Sequence, residues 1–304
     1  MIVIRLIGGL GNQMFIYALG KSLALKNKQS LYLDETWIKE MERKNKIILG
    51  LNNYFFLDKG KKNIFINILI KIFNNRFIKY SLKFIKFKSI IQEKNFSYNK
   101  ELLDINLNFM YILDGYWQSY KYFEDYEDEI KKIFSFDERL YYENKKMVDL
   151  ILNYSNSVSI HVRRGDYEKN PQIKKVHGSI CTFDYYKRAI EIIKEKIEKP
   201  IFFVFSDDIE WCKKNFKLLE ENFIYSDINE EKIEKEIGHR DNGYIDIYLM
   251  TLCKNNIIAN SSFSWWAAYL NPNKEKIIIA PQKWFNDETK NTKDLCPESW
   301  IKVN

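Results

Sequence analysis

In the second half of the chain, short apolar runs alternate with stretches of helical spacing, and this alternation limits the fold more than any other feature. Val158–Val162, Ile201–Phe205, Phe223–Tyr225, Asn256–Ala259 and Ile277–Ala280 have strand length. Between or beside them, Phe183–Ile197, Ile209–Asn215, Tyr244–Cys253 and Phe263–Leu270 read as helices, the first ended near Pro200. Strands separated by helices cannot pair as tight hairpins. They need crossovers, which predicts a parallel, doubly wound α/β sheet with ligands beyond the carboxyl ends of its strands.

The first half opens in the same way. Ile2–Leu6 is a strand, a glycine turn follows, Gln13–Lys26 is a helix and Ser30–Leu33 a second strand, a βαβ start. An apolar and aromatic run, Tyr111–Trp117, and a charged helix-like run, Tyr122–Ile133, come later. With 304 residues, 46% of them hydrophobic, the chain can fill two cores. The expected boundary falls within 140–156, dividing the chain into 1–150 and 151–304.

Net charge is +7, which raises the question of nucleic acid, but the excess is local. Nine Lys/Arg and no acid lie between Lys59 and Gln92, leaving 39 basic against 41 acidic residues elsewhere. In the same stretch Ile66, Ile70, Phe73, Phe77, Tyr80, Phe84, Phe87 and Ile91 step by four and three, with Lys71, Lys79, Lys83 and Lys86 on another face. That is a basic amphipathic helix, or a broken pair. Its apolar stripe either packs on its own domain or rests on an anionic membrane surface. Without a reading motif or an arginine cluster, nucleic acid is not the expected partner.

No run approaches the roughly 20 apolar residues of a spanning helix. MIVIRL, with Arg5 inside a very short apolar run, reads as a strand rather than a secretory signal. Cys181, Cys212, Cys253 and Cys296 stand far apart with no His at ligand spacing, so they are expected to be thiols, not zinc ligands.

Four turns carry the chemistry. The Val158–Val162 strand runs into HVRRGDY, His161–Tyr167. An arginine presents a fixed fork of donors suited to phosphate oxygens, so Arg163 or Arg164 can hold a diphosphate; neighbours on a strand face opposite ways, so one of them is expected to do so. Asp166 or Tyr167 can brace the loop. After Ile201–Phe205 comes Ser206-Asp207-Asp208, where Asp208 either reads a base edge or caps the next helix. After Asn256–Ala259 comes SSFSWW, in which Ser261, Ser262 and Ser264 with helix N–H groups can form an anion site. The fourth turn is GGLGNQMF, where Gly9 and Gly11 allow close approach and Asn12 and Gln13 supply amides; with Met14 at the third position it lacks the dinucleotide fingerprint. No Asp-x-Asp occurs, so the positive charge at a sugar-nucleotide site would come from arginine.

GGLGNQMFIYALGKSLA, GYWQSYKYF (Gly115–Phe123), HVRRGDY, VFSDD and ANSSFSWWAAYLN, in that order and followed by PQKWF (Pro281–Phe285), resemble glycosyltransferase family 11, the α-1,2-fucosyltransferases, in its bacterial form. The resemblance implies a GT-B-like architecture of two Rossmann-like domains facing across a cleft. It implies inverting, metal-independent transfer of L-fucose from GDP-β-L-fucose to the 2-hydroxyl of a terminal galactose, with no cofactor. Arg163 would contact the diphosphate with His161 and Arg164 nearby, and Asp208 would read guanine. Ser261, Ser262, Phe263 and Ser264 would line the donor pocket. Gly9, Gly11, Asn12, Gln13, Trp117 and Gln118 would lie on the acceptor side. Asp166 and Glu168 are the candidate bases. The implied setting is the bacterial cytoplasm or the inner face of its membrane, with 59–92 as the contact. The alternatives are a related fucosyltransferase with another acceptor position and, from a different class, a basic binder of membranes or nucleic acid.

Overall fold

The fold was analysed on a computed structural model, which describes residues 1–44, 50–58, 60, 68, 90–105, 111–226 and 242–304. The chain forms two compact units, Met1–Phe134 and Ser135–Asn304. The division precedes the boundary expected near 150. Phe136 packs on Tyr244 and Tyr248, at ring distances of 5.4 Å each, and Lys145–Leu152 packs on Asn242–Leu252, so these segments belong to the second core.

The first unit holds a four-stranded parallel sheet in the order β2-β1-β4-β3, built from β1 (Ile2–Arg5), β2 (Leu31–Asp34), β3 (Ile90–Gln92) and β4 (Tyr111–Asp114). Helix α1 (Leu10–Lys26) is buried on almost every side. Beyond its sheet contact, Phe15 meets Phe123 and Tyr17 meets Phe134. At Gly20 helix α1 lies close against β1: a Cβ there would sit 2.6 Å from Ile4 Cγ2.

Three expectations change. Helix α1 begins at Leu10 rather than Gln13, because Gly8 turns the chain at φ +77° and the Gly9 carbonyl accepts the N–H groups of Asn12 and Gln13. The run Tyr122–Ile133 is not one helix: 3-10 turns at Tyr120–Tyr122 and Glu124–Tyr126 precede a helix only at Glu127–Ile133. The break is at Phe123, whose φ of −140° lets its ring reach Phe15. Ile91 lies in β3 and not on a helix stripe, since pairing with Leu113 takes it into the sheet. Apart from Gly60, Ile68 and Ile90–Gln92, the basic stretch 59–92 lies outside the described residues.

The second unit is a six-stranded, all-parallel sheet in the order β10-β9-β8-β5-β6-β7. Its strands are β5 (Ser157–Val162), β6 (Ile201–Ser206), β7 (Phe223–Tyr225), β8 (Asn255–Ile257), β9 (Ile278–Pro281) and β10 (Ile301–Val303). β5 is buried along its whole length, as a central parallel strand should be. Val158, Ile160, Val162, Phe202, Val204 and Ile257 pack with Tyr185 and Tyr186 from the helix Phe183–Lys196. On the opposite face of the same sheet, one fully buried polar residue has its amide satisfied. Asn256 donates to Ser159 Oγ (2.7 Å) and Met250 O (3.0 Å), and accepts from Asn271 Nδ2 (2.8 Å). The chain runs outward from β5 to β7, then returns to β8 on the other side of β5. The switch point of the sheet is therefore the crevice beyond the carboxyl ends of β5 and β8.

Candidate active site

The buried strand β5 delivers its last residue, Val162, to the sheet edge, and the two arginines leave in different directions. Arg163 reaches Asp166 Oδ1 (2.7 Å) and Asp207 Oδ2 (3.0 Å), with its guanidinium 5.5 Å from the Tyr167 ring. Arg164 turns to Asp208 Oδ2 (3.2 Å) and stacks 4.2 Å over the Trp211 ring. Arg163 thus stands over the crevice side with Tyr167, while Arg164 is packed against the helix Ile209–Phe216.

Asp207 organises both arginines and was not singled out from sequence. One oxygen pairs with Arg163 and the other accepts the Arg164 N–H (2.8 Å). Gly165 is the signal that could have found it, since a Cβ at that position would lie 2.5 Å from Asp207 Oδ2. Asp208 caps the helix through Trp211 N (3.3 Å) as well as holding Arg164. Asn260 is a second hub: its amide donates to His177 O (3.1 Å) and Trp284 O (3.2 Å), while its backbone O accepts from Tyr167 Oη (3.3 Å). Both Asp166 and Tyr167 therefore brace the loop.

Beyond β8, Ser261 adopts an extended conformation as the N-cap of the helix Ser262–Leu270 and makes no side-chain cap bond. The first turn of that helix directs backbone N–H groups to the crevice end. Phe263 meets the His161 ring at 5.1 Å, which brings the β5 and β8 turns together. Ser264 is a correction. It is fully buried and its hydroxyl donates to Ser261 O (3.4 Å), because the helix turns it toward the core rather than the crevice. Glu168 is another: Ser179 N–H (3.2 Å) and Lys174 Nζ (2.9 Å) occupy its two oxygens. Burial would raise its carboxyl pKa, but those bonds and the Lys174 and Arg164 charges outweigh it and hold the group below its usual value. A carboxylate so held is a poor proton acceptor.

Burial, aided by the Arg163 charge, pushes the His161 imidazole down to about 3 against the pull of Asp207. Burial and Lys290 push His177, stacked on Tyr167, down to about 4. Both are neutral at pH 7, so His161 supplies shape and not charge. The unfolded chain binds more protons than the folded one below the ordinary value of 6.5. The stability these two groups contribute is therefore fully present above that value and is lost as pH falls toward the folded values. Thermal melts at about pH 7.5 and about pH 5 should show a lower midpoint at the acid pH, and the paired change His161→Gln, His177→Gln should flatten the difference.

The first unit presents its own turn. Asn12 Oδ1 accepts from Gln118 Nε2 (2.8 Å), joining the glycine turn to the segment after β4. Gln13 is a correction: fully buried, it donates to Gly8 O (3.1 Å) and accepts from Leu51 N (2.9 Å), so it ties the turn together from beneath. Trp117 is buried against Tyr122. Arg5, at the end of β1, lies between Asp34 Oδ2 and Asp114 Oδ2, 3.1 Å from each. Among the described residues no group of three or more His, Cys, Asp or Glu could hold a metal ion.

An Escherichia coli "alpha-1,2-colitosyltransferase" is 38% identical over 99% of this chain and 98% of its own length. The "O-antigen biosynthesis glycosyltransferase WbnK" of Escherichia coli is 33% identical over 97% and 98%. Human "galactoside alpha-(1,2)-fucosyltransferase 1" is 28% identical over 52% of this chain and 42% of its own. Among solved structures, NodZ α-1,6-fucosyltransferase soaked with GDP-fucose superposes with a TM-score of 0.51 at 16% identity, covering 89% of this chain and 92% of that one. An Arabidopsis thaliana FUT1 mutant in complex with GDP gives 0.52 at 13%, covering 92% and 70%. At these identities the likeness is one of fold, α/β with parallel sheets and GT-B-like. The sequence profile of "Glycosyl transferase family 11" matches residues 1–304, all of the described turns included, and the chain belongs to that family.

Proposed function

We propose that this glycosyltransferase moves L-fucose from GDP-β-L-fucose to the 2-hydroxyl of a terminal galactose, with inversion and without a metal. The observation that carries the reading is Arg163 beside the switch point of the second sheet, next to a helix N-terminus whose cap side chain bonds nothing in its own helix. In a single displacement the galactose oxygen bonds to the anomeric carbon as the bond to the β-phosphate oxygen breaks. GDP departs with the electron pair. Its growing charge is met by Arg163 and the N–H groups of the Ser262–Leu270 helix, which bind the leaving group more strongly in the transition state.

Arg163 rests on two carboxylates; taking up a diphosphate exchanges the Asp166 contact for phosphate oxygens, while Asp207 keeps its hold on the guanidinium. That exchange would release Asp166, whose side chain is 42% exposed, and in this reading Asp166 accepts the galactose proton. Guanine recognition by Asp208 belongs to the same proposal. It would use lone pairs of oxygens that already serve Trp211 N and Arg164.

A second donor is favoured by one finding, the 38% identity to a colitosyltransferase over nearly the whole chain. Colitose is L-fucose without its 3-hydroxyl, so the same displacement serves both. Incubation with GDP-β-L-fucose or GDP-colitose and a panel of galactosides, followed by GDP release and NMR linkage analysis, should give an α-1,2 linkage and an unchanged rate in excess chelator. Release of no GDP with any pair would sink the reading, and loss of activity with chelator would sink its metal-free part.

A further inference from the structure

The parallel register of β3 and β4 sets Gln92 opposite Asp114, so the next residues, Glu93 and Gly115, leave the sheet side by side. Glu93 N–H donates to Asp114 O (3.1 Å). Its carboxylate then forks over the following turn: Oε2 accepts Tyr116 N–H (2.8 Å) and Oε1 accepts Trp117 N–H (2.9 Å). Position 115 has to be glycine, since a Cβ would sit 2.4 Å from Glu93 Cβ. Under this clamp Trp117 takes φ +54°, a conformation bulky side chains rarely adopt, and one found where surrounding contacts enforce it.

The kink has a consequence for chemistry. It buries Trp117 to 2% exposure and Gln118 to 8%, with the Gln118 amide donating to Asn12 across the turn. On each of these two residues one buried polar atom has no hydrogen-bond partner among the described residues, Trp117 Nε1 and Gln118 Oε1. One is a donor and the other an acceptor, the two kinds of partner that sugar hydroxyls take. Buried groups left this way are uncommon and mark places where a ligand or water completes the bonding.

We infer that Glu93 is a positioning residue for acceptor binding, its forked carboxylate holding the Gly115–Gln118 turn so that the indole N–H and the glutamine carbonyl can meet sugar hydroxyls. The inference rests on the reading of this turn as the acceptor side. It names a residue outside every motif that carries the family resemblance.

The test uses the full chain, with lactose as acceptor. Glu93→Ala should raise the acceptor KM about tenfold or more, while donor KM and donor hydrolysis stay within about twofold, and Glu93→Asp, which keeps two acceptor oxygens, should recover part of the loss. In ¹⁵N spectra the Trp117 indole peak, assigned by its disappearance in Trp117→Phe, should shift on adding lactose to the parent and not at the same concentration in Glu93→Ala. If Glu93→Ala does not fold, Glu93→Gln, nearly isosteric but with one acceptor oxygen, is read in the same way. Equal rises in both KM values, or no change in either, would overturn the inference. Gln118→Ala separates the two levels. If it raises acceptor KM while the Glu93 variants do not, Glu93 alone is wrong; if it changes nothing, the acceptor-side reading fails and the inference with it.

Discussion

Arg163→Ala should lower kcat/KM for transfer by about 10³-fold while the protein stays folded. The size follows from what is removed. A charge aimed at a departing diphosphate contributes mainly in the transition state, and deleting one such donor costs about 10²–10³ in rate, or roughly 3–4 kcal/mol at 1.36 kcal/mol per decade. Stability should change far less. The Arg163 side chain is 36% exposed, its pairs with Asp166 and Asp207 are screened by water, and contacts of that kind contribute about 0–1 kcal/mol. Arg163→Lys keeps the charge but loses the two-pronged fork, so it should fall between parent and alanine variant. Steady-state kinetics beside a thermal melt decide the matter, and turnover near the parent's in Arg163→Ala would remove the phosphate assignment.

Asp207→Ala should cost about 10²-fold in kcat/KM although Asp207 is not assigned a contact with substrate. Its oxygens hold the Arg163 guanidinium at 3.0 Å and the Arg164 N–H at 2.8 Å, so both the side chain and the backbone that carries it lose their reference point. Small misplacement of a group that must meet developing charge is expensive. Asp207→Asn separates the two roles. The amide oxygen can still accept from Arg164 N–H, while the charge that orients Arg163 is gone. Asparagine should therefore restore the thermal midpoint more fully than the rate. Equal recovery of both would mean that Asp207 only supports the fold. Gly165→Ala is a useful companion, because its Cβ would press on Asp207 Oδ2 at 2.5 Å and disturb the same brace without deleting it.

Where the chain repeats a period, the structure follows the sequence closely. Phe223–Tyr225 coincides with its expected strand, and Phe183–Lys196 ends one residue before the expected Ile197. A buried parallel strand and an amphipathic helix each announce themselves locally, through a run or a spacing. Elements that depend on distant partners do not. β10 is only Ile-Lys-Val and exists because β9 offers an edge, and Ile91 continues a helical period yet is claimed by β4. Phe123 leaves helical backbone to reach Phe15, a partner more than a hundred residues earlier.

The site divides in the same way. HVRRGDY, SDD and SSFSWW stand at strand ends in the sequence, and the sheet delivers them to one edge as its topology requires. Residue types and their place in the chain therefore determined that arginine, carboxylate and helix N–H groups would share an edge. Only the tertiary structure decided which of them work on substrate and which on one another. Ser264 and Gln13 carry suitable chemistry but are turned into cores, Glu168 is spent on Lys174 and Ser179, and Asp207 and Glu93 gain their parts from a neighbouring strand. The reason is physical: a side chain's chemistry is local, but the direction it faces and the partners that occupy its lone pairs are set by packing between segments far apart in the chain.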